Sequence, residues 1–235
     1  MSDQFPNVNH GPSPNFGAAF FTPREMALLR LEQARLFLWD RWLRWRYHDR
    51  IRFGRNVRIA RGGLLHQGLG TVTLEDGFTV DPGLYQVAFN LAPGSHVRIR
   101  KNSWFRMNDS NIVFSCGAGA YIEIGERAWF SGGIFGATER IIVGERAYIG
   151  WGCMILDSNM HKLDNDGPEP KRGPIEIGSH VWMPSYVTVL PGAKIGDHCV
   201  IGSGSLVNSE IPPHSFAAGR PAKVIKTLGD RDLVE

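Results

Sequence analysis

The sequence is poor in cysteine, in net charge and in long apolar runs, and each shortage argues against a class of protein. Its cysteines, Cys116, Cys153 and Cys199, show no CxxC spacing and cannot all pair with one another, which favours buried thiols in a reducing compartment over a disulfide framework. No run of about 18 apolar residues is present, so no membrane-spanning helix is expected. The formal charge of +3 is too small to indicate a nucleic-acid-binding protein.

The N-terminal residues also lack a targeting pattern. The stretch MSDQFPNVNHGPSPNFG has neither the charged nor the apolar region of a signal peptide, so a cytoplasmic protein is expected. Because this stretch is rich in Pro, Asn and Gly, residues 1–21 are predicted to form a flexible arm.

A basic amphipathic helix is predicted over residues 22–50, with its last helical turn near Asp49. Thr22 suits the N-cap and Pro23 the first helical position. Its apolar positions recur every three or four residues, which is helical spacing: Ala27, Leu31, Ala34, Leu38, Trp42 and Trp45. Three roles stay open for this stripe: peripheral contact with an anionic membrane surface, a cover for the first coil of the domain that follows, or packing against a second copy.

From residue 51 onward a six-residue repeat dominates the chain. An apolar or small residue opens each hexad, a second apolar residue often follows two positions later, and glycine is common at the fourth position. The most regular hexads open at Ile122, Ala128, Ile141, Ala147, Cys153, Ile175, Val181, Val187, Ala193, Cys199, Ser205 and Ile211. A short fixed period predicts a solenoid.

Three hexads per turn give a triangular coil of 18 residues, predicted over residues 51–217 and followed by a C-terminal tail, 218–235. The opening residues of hexads should point inward, so that Ile175, Ala193 and Ile211 align 18 residues apart and the hexad cysteines lie in the interior. Glycine is expected at the corners, because it tolerates unusual backbone dihedrals.

The hexads, together with VWMPSYVTVLPGAKIGDHCVIGSGSLVNSEIPPHSFAAGRPAKVIK at 181–226, resemble the hexapeptide-repeat acyltransferases. The sugar O-acetyltransferases, such as galactoside, maltose, nodulation-factor and capsular-polysaccharide enzymes, are the most similar subgroup. The resemblance is specific over about residues 120–226, looser over 51–119 and absent from the helix. It implies a left-handed parallel β-helix, a homotrimer, acetyl-CoA as acyl donor, and a sugar or glycan-precursor acceptor from polysaccharide biosynthesis.

The repeat is interrupted by an insert at residues 159–174, which contains His161. Loops that leave a rigid scaffold often carry function, and a long loop in a compact domain needs a reason. Transfer of an acyl group to a hydroxyl needs a base, and a neutral imidazole suits this at neutral pH.

The resemblance assigns the general-base role to His161, within the motif DSNMH at 157–161. Asn159 stands where related sequences often have aspartate. The group that holds the imidazole in one tautomer therefore stays open between Asp157 and a backbone carbonyl.

The resemblance also implies contacts with acetyl-CoA. Ser185 and Ser203 match positions beside the pantetheine arm, and Asn208 and Ser209 match a Thr-Lys pair near the nucleotide. Basic residues near the phosphates correspond to Lys223 and Lys226, and Trp182 matches the rim of the donor or acceptor groove. For each of these residues a purely structural role, at a tight corner or on a solvated surface, is the alternative.

Two family features are absent or altered. Ser131-Gly132-Gly133 replaces an acceptor-binding asparagine, so Ser131 substitutes for it or the acceptor is held differently. The γ-class carbonic anhydrases bind zinc on the same scaffold, but the pair of histidine ligands five residues apart is missing. We therefore interpret His180 and His198 as corner residues and expect no metal. An N-acyltransferase and a non-catalytic assembly module are the remaining alternatives.

Overall fold

The computed structural model describes residues 23–159, 161 and 168–229. The predicted arm at 1–21, the predicted N-cap Thr22, residues 160 and 162–167 of the insert, and residues 230–235 lie outside the described residues. The chain divides into two compact units, residues 1–39 and 40–235.

The predicted helix is present as α1, which runs Pro23–Arg46 and ends three residues earlier than expected. Its predicted apolar stripe is exposed: 58% for Leu31, 64% for Leu38 and 72% for Trp45. The buried side chains at this end of the helix are instead Leu43 and Tyr47, four residues apart. At the C-terminal end of the helix, the predicted stripe is therefore not the buried side. In the described chain no helix is long and apolar enough to cross a bilayer.

In the described residues, twenty-four strands follow the helix. The first twelve are β1 (Ile51–Phe53), β2 (Arg58–Ile59), β3 (Leu64–Gly68), β4 (Thr71–Leu74), β5 (Thr79–Val80), β6 (Val87–Leu91), β7 (His96–Ile99), β8 (Trp104–Phe105), β9 (Ile112–Cys116), β10 (Tyr121–Ile124), β11 (Trp129–Phe130) and β12 (Gly133–Ala137). The others are β13 (Arg140–Val143), β14 (Tyr148–Ile149), β15 (Met154–Leu156), β16 (Ile175–Ile177), β17 (Trp182–Met183), β18 (Thr188–Val189), β19 (Lys194–Ile195), β20 (Val200–Ile201), β21 (Leu206–Val207), β22 (Glu210–Ile211), β23 (Ser215–Gly219) and β24 (Ala222–Thr227).

Every third strand joins the same sheet, so the chain coils through three parallel sheets. Sheet A has the order β1-β4-β7-β10-β13-β16-β19-β22, sheet B the order β2-β5-β8-β11-β14-β17-β20-β23-β24, and sheet C the order β3-β6-β9-β12-β15-β18-β21. Among the strands of the described residues, β24, within the segment predicted as a tail, is the one that pairs antiparallel, with β23. This parallel β-solenoid matches a left-handed β-helix of hexapeptide repeats, which confirms the predicted fold class.

The interior of the solenoid is filled by the first and third residues of each hexad. In the hexad that Ile175 opens, Ile175 and Ile177 are both buried. Cys153 and Cys199 are fully buried as predicted, and Cys116 is buried and unpaired by any disulfide.

The predicted 18-residue period holds for only part of the solenoid. Ile177 aligns with Ile195, 18 residues on, but Val72 aligns with Val97, 25 residues on. The predicted alignment of Ala193 with Ile211 is wrong, because Ile211 aligns with Ile195. The corner between β21 and β22 contains only Asn208 and Ser209, two residues fewer than the corner between β18 and β19.

The glycine at the fourth hexad position has a different reason from the predicted one. A Cβ placed on Gly125 or Gly144 would lie within 2.5 Å of the backbone of the next coil, and neither glycine has a positive φ. The left-handed conformation falls two residues later, at Arg127 (φ 53°) and Arg146 (φ 50°). Glycine is therefore needed at these corners for close stacking of the coils.

Candidate active site

The insert leaves the solenoid through a short antiparallel neck between sheets C and A. The Asn159 N–H donates to the Lys171 carbonyl at 3.0 Å, and the Gly173 N–H donates to the Asp157 carbonyl at 3.0 Å. Ser158 and Arg172 form an antiparallel bridge between these two bonds. The neck therefore fixes both ends of the loop on a rigid wall.

The Asp157 side chain stabilises the corner between sheets C and A through four hydrogen bonds. It is fully buried, and its Oδ1 accepts hydrogen bonds from the Thr138 N–H (2.7 Å) and hydroxyl (2.9 Å). Its Oδ2 accepts from the N–H groups of Glu139 (2.8 Å) and Arg140 (2.9 Å). A carboxylate offers about four lone-pair sites, so these bonds use its acceptor capacity. Asp157 thus ties the start of the neck to the preceding coil.

His161 lies just beyond the neck and is exposed. Its backbone N–H donates to the Asn159 carbonyl at 2.7 Å, which turns the chain sharply at this point. Asn159 is exposed as well. The imidazole is therefore presented to solvent two residues from the rigid wall.

A second group of predicted site residues lies at the corner between sheets B and C. The Gly204 N–H donates to the Ser185 carbonyl at 2.9 Å, which brings Ser185 and Ser203 to the same corner of consecutive coils. Trp182 is 38% exposed on sheet B, and Lys223 and Lys226 are exposed on β24 at the end of that sheet.

The remaining predicted donor contacts, Asn208 and Ser209, are exposed at the corner between sheets C and A. This is the corner of the neck, two coils further on. One strand of sheet C and its flanking residues separate it from the Ser185 corner, roughly 15 Å at about 3.3 Å per residue. Within one chain, the candidate site residues therefore form two groups on opposite edges of sheet C.

Sequence reasoning missed an aromatic pair beside Ser185. The Trp151 and Tyr186 rings meet edge to face with centroids 4.5 Å apart, and both side chains are exposed. The insert at 159–174 lies between them, so their spacing in the sequence does not show that they occupy equivalent positions in consecutive coils. Once it is removed, the two residues fall on the same corner of consecutive coils.

Ser131, which we considered as a substitute for the acceptor-binding asparagine, is buried. Its N–H donates to the Ile149 carbonyl at 3.0 Å. Gly132 follows with a φ of 156°, and a Cβ there would overlap the Ser110 hydroxyl. The backbone is closely packed here, so Ser131 offers a ligand little accessible surface.

Three histidines, His180, His198 and His214, stack on one another at the corner between sheets A and B. The ring centroids of His180 and His198 are 4.6 Å apart, and those of His198 and His214 are 4.9 Å apart, with nearly parallel planes. All three have φ near 55°. The interpretation of His180 and His198 as corner residues is therefore confirmed, and His214 occupies a corner of the same kind. Among the described residues no group of three His, Cys, Asp or Glu side chains is arranged to hold a metal ion.

The buried thiols are not activated as nucleophiles. Burial raises the pKa of Cys153 to about 11 and that of Cys116 to about 12, and it also raises the pKa of Cys199. A thiol in such an environment stays protonated at neutral pH and is inert. An acyl-cysteine intermediate therefore has no candidate among these residues.

Comparison with known proteins agrees with this architecture. The family model described as bacterial transferase hexapeptide (six repeats) matches residues 174–209. The galactoside O-acetyltransferase of Escherichia coli (strain K12) is 33% identical, with 48% of this chain and 66% of that protein covered. Residues 174–209 therefore carry the hexapeptide repeats of this transferase family.

Other matches are more local or concern the fold alone. A Staphylococcus aureus (strain Mu50) protein, named only provisionally as an acetyltransferase, is 54% identical over 29% of this chain. The match spans about a third of its length, 34%. The crystal structure of the polySia specific acetyltransferase NeuO covers 80% of this chain and 85% of its own, with a TM-score of 0.52 and 23% identity. That likeness supports the fold.

Proposed function

We propose that the protein is an acetyl-CoA-dependent O-acetyltransferase that acts on a hydroxyl of a sugar or polysaccharide precursor, with His161 as general base. The observation that carries this proposal is the anchored neck, which presents an exposed imidazole beside a rigid wall. The sequence similarity to a galactoside O-acetyltransferase supports the choice of a sugar hydroxyl as acceptor.

The proposed reaction needs only the imidazole and the activated thioester. His161 removes the hydroxyl proton while the acceptor oxygen attacks the thioester carbonyl, which gives a tetrahedral intermediate. When the carbon–sulfur bond breaks, the imidazolium returns the proton to the departing CoA sulfur. The products are an O-acetyl sugar and free CoA, and no acyl-enzyme forms.

The proposed orientation of the imidazole follows from the hydrogen bonds of Asp157. Since both of its carboxylate oxygens already accept two hydrogen bonds, we assign Asp157 to positioning the loop. We therefore assign the other candidate, a backbone carbonyl, to accept a hydrogen bond from the His161 ring and to hold it in one tautomer. Asn159 contributes through its backbone, which contacts both Lys171 and His161.

The two groups of candidate residues suggest a site shared between subunits. The corner with Ser185 and Ser203 and the corner with His161 lie on opposite edges of sheet C, so facing edges of neighbouring subunits would bring them together. This supports the proposed homotrimer with acetyl-CoA bound between subunits. Lys223 and Lys226 suit its phosphate groups, because ammonium groups bind phosphate as point charges.

The cellular setting is also a proposal. A cytoplasmic location fits an enzyme that consumes acetyl-CoA. The exposed Trp42 and Trp45 on α1 suit peripheral contact with a membrane or with a second copy.

The proposal is tested with His161→Ala in a thiol-release assay with acetyl-CoA and a panel of sugars. We expect the rate of CoA release to fall by about 10²- to 10⁴-fold, the usual contribution of a general base. His48→Ala is the matched control, because His48 is an exposed histidine outside the insert, and we expect it to retain the wild-type rate.

Three results would contradict the proposal. Unchanged CoA release in His161→Ala would refute the role of the base. Faster acetylation of amino sugars than of their hydroxyl analogues would favour the N-acyltransferase alternative. If acetyl-CoA gives no thermal shift, a non-catalytic assembly module is favoured.

A further inference from the structure

A second candidate site lies on the outer face of sheet A, away from the residues discussed above. It is a groove of about 890 Å³ that spans the strands β1, β4, β7 and β10 and reaches Arg44 at the end of α1. We call it the sheet A groove. The lining residues on which its chemistry depends are Arg52, Arg98, Lys101, Glu75, Asp76 and His96.

The groove is cationic. Five of its lining side chains are basic and two are acidic, which leaves a formal surplus of three positive charges. Asp76 accepts hydrogen bonds from the Arg55 guanidinium at 2.8 and 3.0 Å, and Glu75 accepts one from Arg98 at 2.8 Å. Both carboxylates are therefore committed to guanidinium groups within the groove.

Two of the other basic groups, Arg52 and Lys101, are available to a ligand. Arg44 pairs with Asp40, which does not line the groove, at 2.9 Å. In the part of the chain that the structure describes, no carboxylate forms an ion pair with Arg52 or Lys101. Arg52 and Lys101 are both exposed, and guanidinium and ammonium groups suit carboxylate and phosphate oxygens.

One wall of the groove is formed by stacked rings. The His96 and Tyr121 rings are nearly parallel with centroids 5.9 Å apart, and His96 Nδ1 is hydrogen-bonded to the Thr71 hydroxyl at 2.8 Å. Burial and the charge of Arg98 lower the pKa of His96, so this ring is neutral at neutral pH. Flat rings with polar edges next to cations suit a ligand that combines hydroxyl groups with acidic groups.

The groove and the insert share sheet A. His96 and Tyr121 open β7 and β10, and Gly173 leads into β16 at the same end of these parallel strands. Only β13 lies between β10 and β16, so about 10 Å separate them at the usual strand spacing. A chain-like acceptor that reacts at the insert can therefore extend along sheet A into the groove.

We propose that the sheet A groove binds an acidic saccharide, one that carries carboxylate or phosphate groups, and holds the part of the acceptor chain distant from the reacting hydroxyl. This inference rests on the proposed sugar acceptor for its biological role. Binding itself does not depend on the transfer reaction.

Calorimetric titration of the full-length protein, without acetyl-CoA, tests the proposal. Tetragalacturonate serves as the acidic probe and maltotetraose as a neutral probe of equal length. We expect only the acidic probe to bind, with an affinity that falls as NaCl is raised from 50 to 500 mM, because salt screens exposed charges. The double variant Arg52→Gln/Lys101→Gln should bind it at least about tenfold more weakly, since charge-assisted hydrogen bonds are lost.

The matched control is Arg58→Gln/Arg61→Gln, which removes the same charge from exposed positions outside the groove. We expect it to bind tetragalacturonate as the wild type does. An equal loss in both double variants would overturn the site in favour of a non-specific charge effect.

Other results would also overturn the proposal. The first is that tetragalacturonate does not bind, and the second is that maltotetraose binds equally well. The third is that inorganic pyrophosphate binds as tightly as tetragalacturonate, with the same dependence on Arg52 and Lys101. The last result would assign the groove to a phosphate compound without a saccharide. Because no acetyl-CoA is present, failure of the His161→Ala prediction leaves this test unaffected, and the two proposals fail separately.

Discussion

The solenoid has a wide half and a narrow half, and the insert lies where they meet. Strands of sheet C are five residues long through β12 and then shorten to three or two. The wide coils are filled by phenyl rings stacked along the axis, whereas aliphatic side chains, methionine, alanine and cysteine fill the narrow coils. The length of a coil thus determines which side chains can fill its interior.

The aromatic stack makes the wide half dependent on a few large side chains. Phe114 lies 5.3 Å from Phe89 and 5.0 Å from Phe135, centroid to centroid, and all three are fully buried. The narrow half distributes its burial over smaller residues.

The largest expected effect is therefore in the wide half. Phe114→Ala should lower the free energy of unfolding by about 4 kcal/mol, because a cavity replaces a ring held from both sides. Ile201→Val, in the narrow half, should cost about 1 kcal/mol. Chemical denaturation measures both, and equal losses would contradict the difference between the two halves.

The second prediction concerns the junction. Asp157→Asn should lower the free energy of unfolding by about 3 kcal/mol, since an amide cannot accept all four hydrogen bonds and leaves buried N–H groups unpaired. The exposed Asp197 accepts one bond, from the Ser179 N–H at 2.7 Å, so Asp197→Asn is the control and should cost less than about 1 kcal/mol. If the two variants denature alike, Asp157 does not hold the neck.

The smallest expected effect is a loss of stability on acidification, which originates in the wide half. His66 is buried, with Nε2 3.0 Å from the Gly70 carbonyl, and burial lowers the pKa of its imidazole. The unfolded chain therefore binds a proton more readily than the folded one. Stability should fall as the pH drops below about 6.5, the ordinary histidine value, until the folded pKa is passed.

Thermal denaturation between pH 7.5 and 5.5 measures this dependence. His66→Gln should make it shallower, because glutamine keeps a donor for the Gly70 carbonyl but does not titrate. The remaining dependence is expected from His96, whose pKa burial also lowers. An unchanged slope in His66→Gln would place the titrating group elsewhere.

The sequence predicted the fold because each hexad forms one side of a coil, so that the period of the sequence follows the period of the structure. It predicted the buried Cys153 and Cys199 and the corner position of His180 and His198 for the same reason. It did not predict the 25-residue coils, since a longer coil needs only extra residues at its corners and in sheet C. It did not indicate that Leu43 and Tyr47 are the buried side chains at the end of α1, because tertiary packing and not apolar spacing determines which side is buried.

Only part of the candidate active site could be predicted from the sequence. The position of His161 follows from the break in the repeat, and the predicted roles of the donor residues rest on the family resemblance. The hydrogen bonds of Asp157 to Thr138 and to the backbone of the next two residues join positions 17 to 19 apart, and no local pattern records them. The sheet A groove gathers residues from four coils whose spacings vary, so its charges are dispersed in the sequence.

The antiparallel strand β24 has a consequence for the last coil of the solenoid. A parallel coil can in principle be continued indefinitely, because its last turn offers unpaired backbone groups to any chain of similar pitch. β24 reverses direction against β23 and presents an exposed edge carrying Lys223 and Lys226, while Leu43 and Tyr47 pack at the first coil. At the end of sheet B, β24 therefore presents an antiparallel, positively charged edge where a parallel strand of a further coil would otherwise pair.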